Sequence, residues 1–248
     1  MIYFIGAGPG AVDLITVRGM RLLQRADLVI YAGSLVNPEL LLYCKEGCRC
    51  LDSAGMTLEE VLSELRAVPE ESVAVRLHTG DPSLYGAIRE QMDALRDMGL
   101  AYEVVPGVSS MNAAAAALGR EYTLPGVSQS LIISRRAGRT PVPEKEGLQA
   151  LAAHGASMVL FLSAGMLKEA CSELIRGGYR PGTPAALVSR ASWPDEHIVQ
   201  GTLETLPELA GGIDRTALIL VGEFLGDAYE RSRLYDPSFS HQYREARK

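Results

Sequence analysis

Short apolar runs alternate with longer amphipathic stretches along the whole chain, and this alternation restricts the fold more than any other feature. An unbroken apolar strand is buried on both faces, the condition of a parallel sheet covered by helices. The runs at residues 2–5, 28–31, 73–77 and 102–105 are the strands this predicts in the first half. Those at 129–133, 158–162, 185–189, 198–202 and 217–221 repeat the pattern in the second. Thr57 and Glu60 form a capping box ahead of Val61, Leu62 and Leu65, so a helix starts there. Further helices are predicted at 85–97, stopped by Gly99, at the alanine-rich 109–118, and at 148–153, 167–176 and 203–209. The fold class is α/β, with domains at residues 1–118 and 119–230 and a charged tail at 231–248.

A chain of 248 residues buries about 70–75% of its unfolded surface, so it needs no disulfide or metal staple. Its 30 acidic residues outnumber 24 basic ones, for a formal net charge of −6. That sign argues against a general nucleic-acid binder or a protein held on anionic lipid by charge. Met1-Ile2-Tyr3-Phe4-Ile5 carries no basic region and runs into glycines, so it reads as a first strand and not a leader. No apolar run approaches the ~18 residues of a membrane span, and a cytoplasmic location is expected. Cys44, Cys48 and Cys50 lie within seven residues of one another, with Cys171 apart. Neither a His nor a paired Cys-x-x-Cys completes a zinc set, so the expectation is free thiols in a reducing cytoplasm and no metal.

Three turns at predicted strand ends carry the chemistry. Gly6-Ala7-Gly8-Pro9-Gly10-Ala11 matches the G-x-G-x-x-[GA] dinucleotide fingerprint. Pro9, however, deletes an amide from the loop that would cradle a pyrophosphate. Tyr31-Ala32-Gly33-Ser34 ends the next strand without a carboxylate for a ribose, and Asp27 lies at that strand's other end. Thr16 reads as the cap of the following helix, which leaves an open loop after the first strand.

The second turn is His78-Thr79-Gly80-Asp81-Pro82-Ser83-Leu84. Gly80 lets a ligand approach the backbone. Asp81 either accepts hydrogen bonds from a ribose or an ammonium or, with Ser83, only caps the next helix. His78 is a general-base candidate, with a structural role as the alternative. The third turn, Pro106-Gly107-Val108-Ser109-Ser110, sets two hydroxyls at a helix start. Open parallel sheets bind ligands at the carboxyl ends of their strands, and three such turns in one half point to one crevice.

The order and spacing of Gly6-x-Gly8-Pro9-Gly10-x-x-x-Leu14-Ile15-Thr16, Gly80-Asp81-Pro82 and Pro106-Gly107-Val108-Ser109 resemble the tetrapyrrole methylase family of S-adenosylmethionine (SAM) dependent enzymes. The resemblance covers residues 1 to about 225. Tyr31-Ala32-Gly33-Ser34-Leu35-Val36, Ala54-Gly55-Met56, His78-Thr79-Gly80, Gly138-Arg139-Thr140-Pro141-Val142-Pro143-Glu144 and Trp193-Pro194-Asp195-Glu196 are similar to its precorrin-4 / cobalt-precorrin-4 C11-methyltransferase branch. Thr79 stands where the wider family often has Gly, in agreement with that branch.

The resemblance implies two α/β domains of the tetrapyrrole methylase type with an interdomain cleft, a trough for a tetrapyrrole, and a homodimer. It places SAM contacts on Pro9, Thr79, Gly80, Asp81, Leu84, Ser109 and Ser110. By looser alignment it adds Leu162, Ser163, Ala191 and Ala217. Methyl transfer from a sulfonium needs positioning more than a nucleophile. The proton acceptor is open, with His78 and Asp81 as candidates.

A substrate bearing many carboxylates calls for cations, and Arg135, Arg136 and Arg139 form the densest basic stretch in the chain. Guanidinium matches carboxylate in a fork, so these three are the candidate substrate clamp, with a solvated connector as the alternative. Trp193 and Tyr85 are candidates to stack on the ring system or to pack. Three other functions compete: a uroporphyrinogen-III C-methyltransferase, disfavoured by Thr79 and the 31–36 segment, a dinucleotide oxidoreductase, and a non-catalytic tetrapyrrole carrier.

Overall fold

The computed structural model describes residues 1–246. The chain divides into two compact units, Met1–Ala113 together with Arg190–Glu196, and the remainder. In the first unit the elements run β1 (Ile2–Gly6), α1 (Val17–Leu23), β2 (Leu28–Tyr31), β3 (Arg49–Asp52), α2 (Leu58–Arg66), β4 (Ala74–His78), α3 (Ile88–Asp97) and β5 (Tyr102–Val105). The five strands form one sheet in the order β3-β2-β4-β1-β5, and every neighbouring pair is parallel. Ile5, Val29, Val75 and Leu77 pack into one core with Leu22 and Leu23 of α1. Ile2, Phe4, Leu28, Ile30 and Ala74 pack into the other with Val61, Leu62, Leu65 and Leu95. Burial on both faces is why these strands read as continuous apolar runs.

The capping box is present, with Glu60 N–H donating to Thr57 Oγ1 and Thr57 N–H to the Glu60 carboxylate. Thr16 caps α1 by accepting from Gly19 N–H. The strand β3 has no counterpart in the sequence expectation, because Arg49-Cys50-Leu51-Asp52 is mostly exposed at the sheet edge and shows no apolar run.

The helix α4 (Ser110–Leu118) follows, and the unit boundary at Ala113 falls inside it. The second unit continues with β6 (Leu131–Arg135), α5 (Leu148–Ala152), β7 (Ser157–Phe161), α6 (Leu167–Arg176), β8 (Pro184–Ser189), β9 (His197–Thr202), α7 (Leu206–Leu209) and β10 (Ala217–Val221). Its sheet has the order β6-β7-β10-β8-β9. Only β6 and β7 pair in parallel, and β10 runs antiparallel to both β7 and β8. The alternation of the second half therefore does not make a second parallel layer. The link from β8 to β9 is the short segment Arg190–Glu196, and a parallel pair needs a crossover of a dozen residues or more. Leu160, Leu167, Leu174, Leu187, Leu206 and Ile219 fill this unit's core. Among the described residues no helix is long and apolar enough to cross a membrane.

Candidate active site

In an all-parallel sheet every strand ends on the same edge, so the adjacency β4-β1-β5 sets the three turns side by side. The chain leaves β1 for α1 on one face and β4 for α3 on the other, the arrangement in which open parallel sheets bind ligands beyond the carboxyl ends of their strands.

The turns meet through backbone. Gly80 N–H donates to Gly8 O at 2.8 Å and Gly8 N–H to Gly80 O at 3.3 Å, while Ala7 N–H donates to His78 O at 2.7 Å. A Cβ on Gly6 would stand 2.5 Å from Gly107 Cα, and one on Gly107 would stand 2.1 Å from Gly80 O. No side chain fits in that seam. At Gly80 the demand is different: a Cβ would lie 3.6 Å from Ser109 Cα and Ser110 N, an ordinary contact, but φ is +62°. Gly80 thus faces the start of α4, where Ser109 is buried and Ser110 half-buried.

Asp81 ties the second turn to the third. Its Oδ2 accepts from Gly107 N–H at 2.8 Å, and Oδ1 accepts from Ser83 N–H at 2.9 Å and from the Ser83 hydroxyl. Partial burial raises the Asp81 pKa, but hydrogen bonds from Ser83 and Gly107 outweigh it and hold the carboxyl below its ordinary value. The carboxylate is ionised and engaged with the loops. It does not cap a helix: α3 begins only at Ile88, because Tyr85 and Ala87 are left-handed, with φ of 56° and 48°. That shortens the helix expected from residue 85.

A second layer fixes the glycine loop from behind. The Trp193 indole N–H donates to Pro9 O at 3.0 Å, and Ala11 N–H donates to Ser192 Oγ at 3.0 Å. Asn37, buried, donates through Nδ2 to Gly10 O at 2.9 Å. A Cβ on Gly10 would lie 2.1 Å from the Trp193 ring. Trp193 therefore packs on the loop, with the Arg190 guanidinium 4.1 Å above its ring and held by Asp195. Asn37 and Ser192 went unpredicted. A loop shortened of one amide by proline leaves carbonyls in need of donors, but that signal does not say which residues supply them.

His78 is buried in the sheet. It shares the face of Ala74 and Arg76 on β4, is 6% exposed, and packs its ring 6.0 Å from that of Phe4. Burial and the neighbouring Arg76 push its pKa down to about 3, and Nε2 has no hydrogen-bond partner. A neutral imidazole this weakly basic is a poor proton acceptor near neutral pH.

Backbone strain marks other predicted contacts. Leu162, 68% exposed, has φ 51°, Arg190 and Ser192 at 49° and 69° bracket Ala191, and Thr216 at 51° precedes Ala217. Tyr85 directly follows Leu84. Of the six non-glycine positive φ values among the described residues, only that of Ala87 lies more than one position from a predicted contact. Such conformations persist where the surroundings impose them, and they cluster at ligand clamps. Ser163 offers only backbone, since its hydroxyl donates to Phe161 O and accepts from Arg136 N–H.

The three arginines behave differently from one another. Arg135 donates to Thr140 O at 3.1 Å and Pro141 O at 2.7 Å, closing its own loop. Arg136 pairs with Glu173 of α6 at 2.8 Å. Arg139 is exposed and, among the described residues, makes no hydrogen bond or ion pair.

Residues 1–207 match the family model for tetrapyrrole (corrin/porphyrin) methylases. The cobalt-precorrin-4 C(11)-methyltransferase of Methanocaldococcus jannaschii is 51% identical, over 100% of this chain and 97% of the relative. A solved cobalt-precorrin-4 methyltransferase, a cobalamin biosynthetic enzyme, superposes with a TM-score of 0.88 at 47% identity, covering 91% of this chain and 96% of its own. The uroporphyrin-III C-methyltransferase of Thermus thermophilus, complexed with S-adenyl homocysteine, gives 0.77 at 29% identity over 90% and 98%. The chain belongs to the tetrapyrrole methylase family.

Proposed function

We propose that the chain transfers a methyl group from SAM to C11 of precorrin-4 or cobalt-precorrin-4, in cobalamin biosynthesis, and that it works in the cytoplasm as a homodimer. Likeness over essentially the full length, at 51% and 47% identity, to proteins named for that reaction supports the substrate. The single observation that carries the donor is the backbone seam of Gly6, Gly8, Gly80 and Gly107, locked by Asp81 beyond the ends of β1, β4 and β5.

Bound SAM supplies a methyl group already activated on a sulfonium. The protein's part is to hold donor and ring carbon in near-attack geometry, which is worth ~7–11 kcal/mol. A rigid backbone surface suits that task because it has few rotamers to freeze on binding. In the first unit the contacts are Pro9, Thr79, Gly80, Asp81, Leu84, Ser109, Ser110 and Ala191. In the second they are Leu162, Ser163 and Ala217, reached mainly through main-chain groups. Asp81 also brings a negative charge suited to a cationic donor. Arg139 is the guanidinium available for substrate carboxylates, while Arg135 and Arg136 shape the loop that presents it.

Calorimetric titration with S-adenosylhomocysteine and with NAD tests the donor. Binding of the first and not the second is expected, and tight NAD binding without the homocysteine compound sinks the assignment. Incubation with methyl-labelled SAM and either tetrapyrrole, followed by NMR of the product, locates the label. A label at any carbon other than C11 refutes the regiochemistry, and the faster of the two substrates settles the need for cobalt.

A further inference from the structure

On the first unit, at the sheet edge two strands from β4, the strand β3 brings three thiols together. Cys44 ends the 3-10 helix Pro38–Tyr43, Cys48 follows a turn at Gly47 (φ 80°), and Cys50 lies on β3. All three are free cysteines, and their sulfurs lie within 4.8 Å of one another. Their other contacts are weak: the Cys48 thiol approaches Arg49 O at 3.8 Å and the Cys50 thiol approaches Cys48 O at 4.0 Å. In sequence these cysteines lack a fourth His or Cys, which argued for unligated thiols. The fold supplies what spacing did not, a common point toward which three sulfurs face.

We propose that Cys44, Cys48 and Cys50 form a three-thiolate site for a thiophilic d10 metal ion, of the Zn2+ or Cu(I) class, with any fourth position filled by solvent. Metal–sulfur bonds of about 2.3 Å require sulfurs roughly 3.8–4.0 Å apart in tetrahedral or trigonal geometry. The cluster is within about 1 Å of that spacing, and Gly47, with open space where a Cβ would be, leaves the turn able to close. Cys44 and Cys48 are half-buried while Cys50 is exposed, so the site has both an apolar back wall and an entry path.

The three sulfurs converge on one point from the end of a 3-10 helix, a turn and an edge strand, which is the geometry the proposal rests on. Asp27 is not a fourth ligand, because its carboxylate is taken by Lys45 and Val73 N–H. Binding of Zn2+ exchanges three S–H protons for three Zn–S bonds, leaving a site of charge −1 and releasing three protons.

The test uses the full chain, reduced and stripped of metal under anaerobic conditions. Cd2+ is added while thiolate-to-metal absorption is followed, and Zn2+ and Cu(I) are added in competition with chromophoric chelators, which distinguishes the two ions. One equivalent per chain is expected, with close to three protons released per Zn2+ in weakly buffered solution. Cys50→Ser should weaken binding at least tenfold and the triple Cys44→Ser, Cys48→Ser, Cys50→Ser variant should abolish it, whereas Cys171→Ser should bind like the parent. Cys50 is exposed, so its single variant keeps the test alive if the triple variant does not fold. Binding below half an equivalent, release of fewer than two protons, or unchanged affinity in Cys50→Ser would overturn the site.

Discussion

The glycine turns of the first unit and the arginine loop of the second both concentrate groups that a ligand would want, yet opposite means hold them in shape. In the turns, main-chain amides and carbonyls of Gly8 and Gly80 pair directly, and one carboxylate, Asp81, closes the seam. In the loop, long guanidinium side chains reach back: Arg135 to the carbonyls of Thr140 and Pro141, Arg136 to Glu173. Backbone pairing leaves little room for adjustment, and at Gly6 and Gly107 it leaves none for an added carbon. Guanidinium closure is softer and leaves one arginine exposed. Under the proposed function, the difference would separate a surface that fixes a donor from one that follows a flexible, many-armed substrate.

Substitution at the seam should have the largest effect. Gly107→Ala drives a methyl group to 2.1 Å from Gly80 O, so a loss of roughly 3–5 kcal/mol is expected, with S-adenosylhomocysteine binding abolished. Near-parental stability by urea unfolding would show that the seam is as pliant as the arginine loop.

Asp81→Asn comes next. One of its former oxygen positions becomes an NH2 facing a main-chain N–H, and losing a charge-assisted bond there costs about 1.5–3 kcal/mol. The pH dependence has a definite sign. The folded Asp81 pKa lies below the unfolded value, so its contribution is complete above the unfolded pKa and fades as pH falls through the folded one. The Asn variant should lack that acid-limb loss.

His78, on the strand feeding the same turn, acts in a higher window. Between its ordinary 6.5 and about 3 the unfolded chain binds a proton that the fold does not. Stability therefore falls with pH across that range, by about 2 kcal/mol from pH 7 to 5, and His78→Leu should flatten the slope. Equal slopes in parent and variant would mean that the imidazole is hydrated and available for chemistry after all.

The loop should give the smallest changes. Arg136→Ala is expected to cost about 1 kcal/mol or less, since its ion pair with Glu173 is only partly buried. Arg139→Ala should leave the melting temperature unchanged and raise the KM for the tetrapyrrole several-fold. If Arg135→Ala and not Arg139→Ala raised KM without loosening the loop, the division of labour among the three would be reversed.

Much of this was legible in the chain itself, for physical reasons that also mark where legibility stopped. Strands β1, β2, β4 and β5 are buried on both faces, so their apolar runs announced them. Edge strand β3 has little to bury and did not. The convergence of the three turns followed from parallel strands sharing one edge. The jobs of Asp81 and His78 did not follow, because a carboxylate beside glycine reads the same whether it meets a ligand or a loop. Asn37 and Ser192 were not legible as supports of the glycine loop, since the groups they meet there, Gly10 O and Ala11 N–H, lie far from them along the chain.

The return of Arg190–Glu196 to the first unit has a consequence for the order in which the protein can be completed during synthesis. A ribosome finishes β1 through β5 long before it reaches Trp193. Until then the Gly10 loop has no ring behind it and the Ala11 amide has no Ser192 hydroxyl. A nascent chain halted before residue 190 would carry all three turns and still lack the backing that sets the first of them. Under the proposed function, the first unit's share of the donor site should therefore be completed only late in translation, once Glu196 has left the exit tunnel.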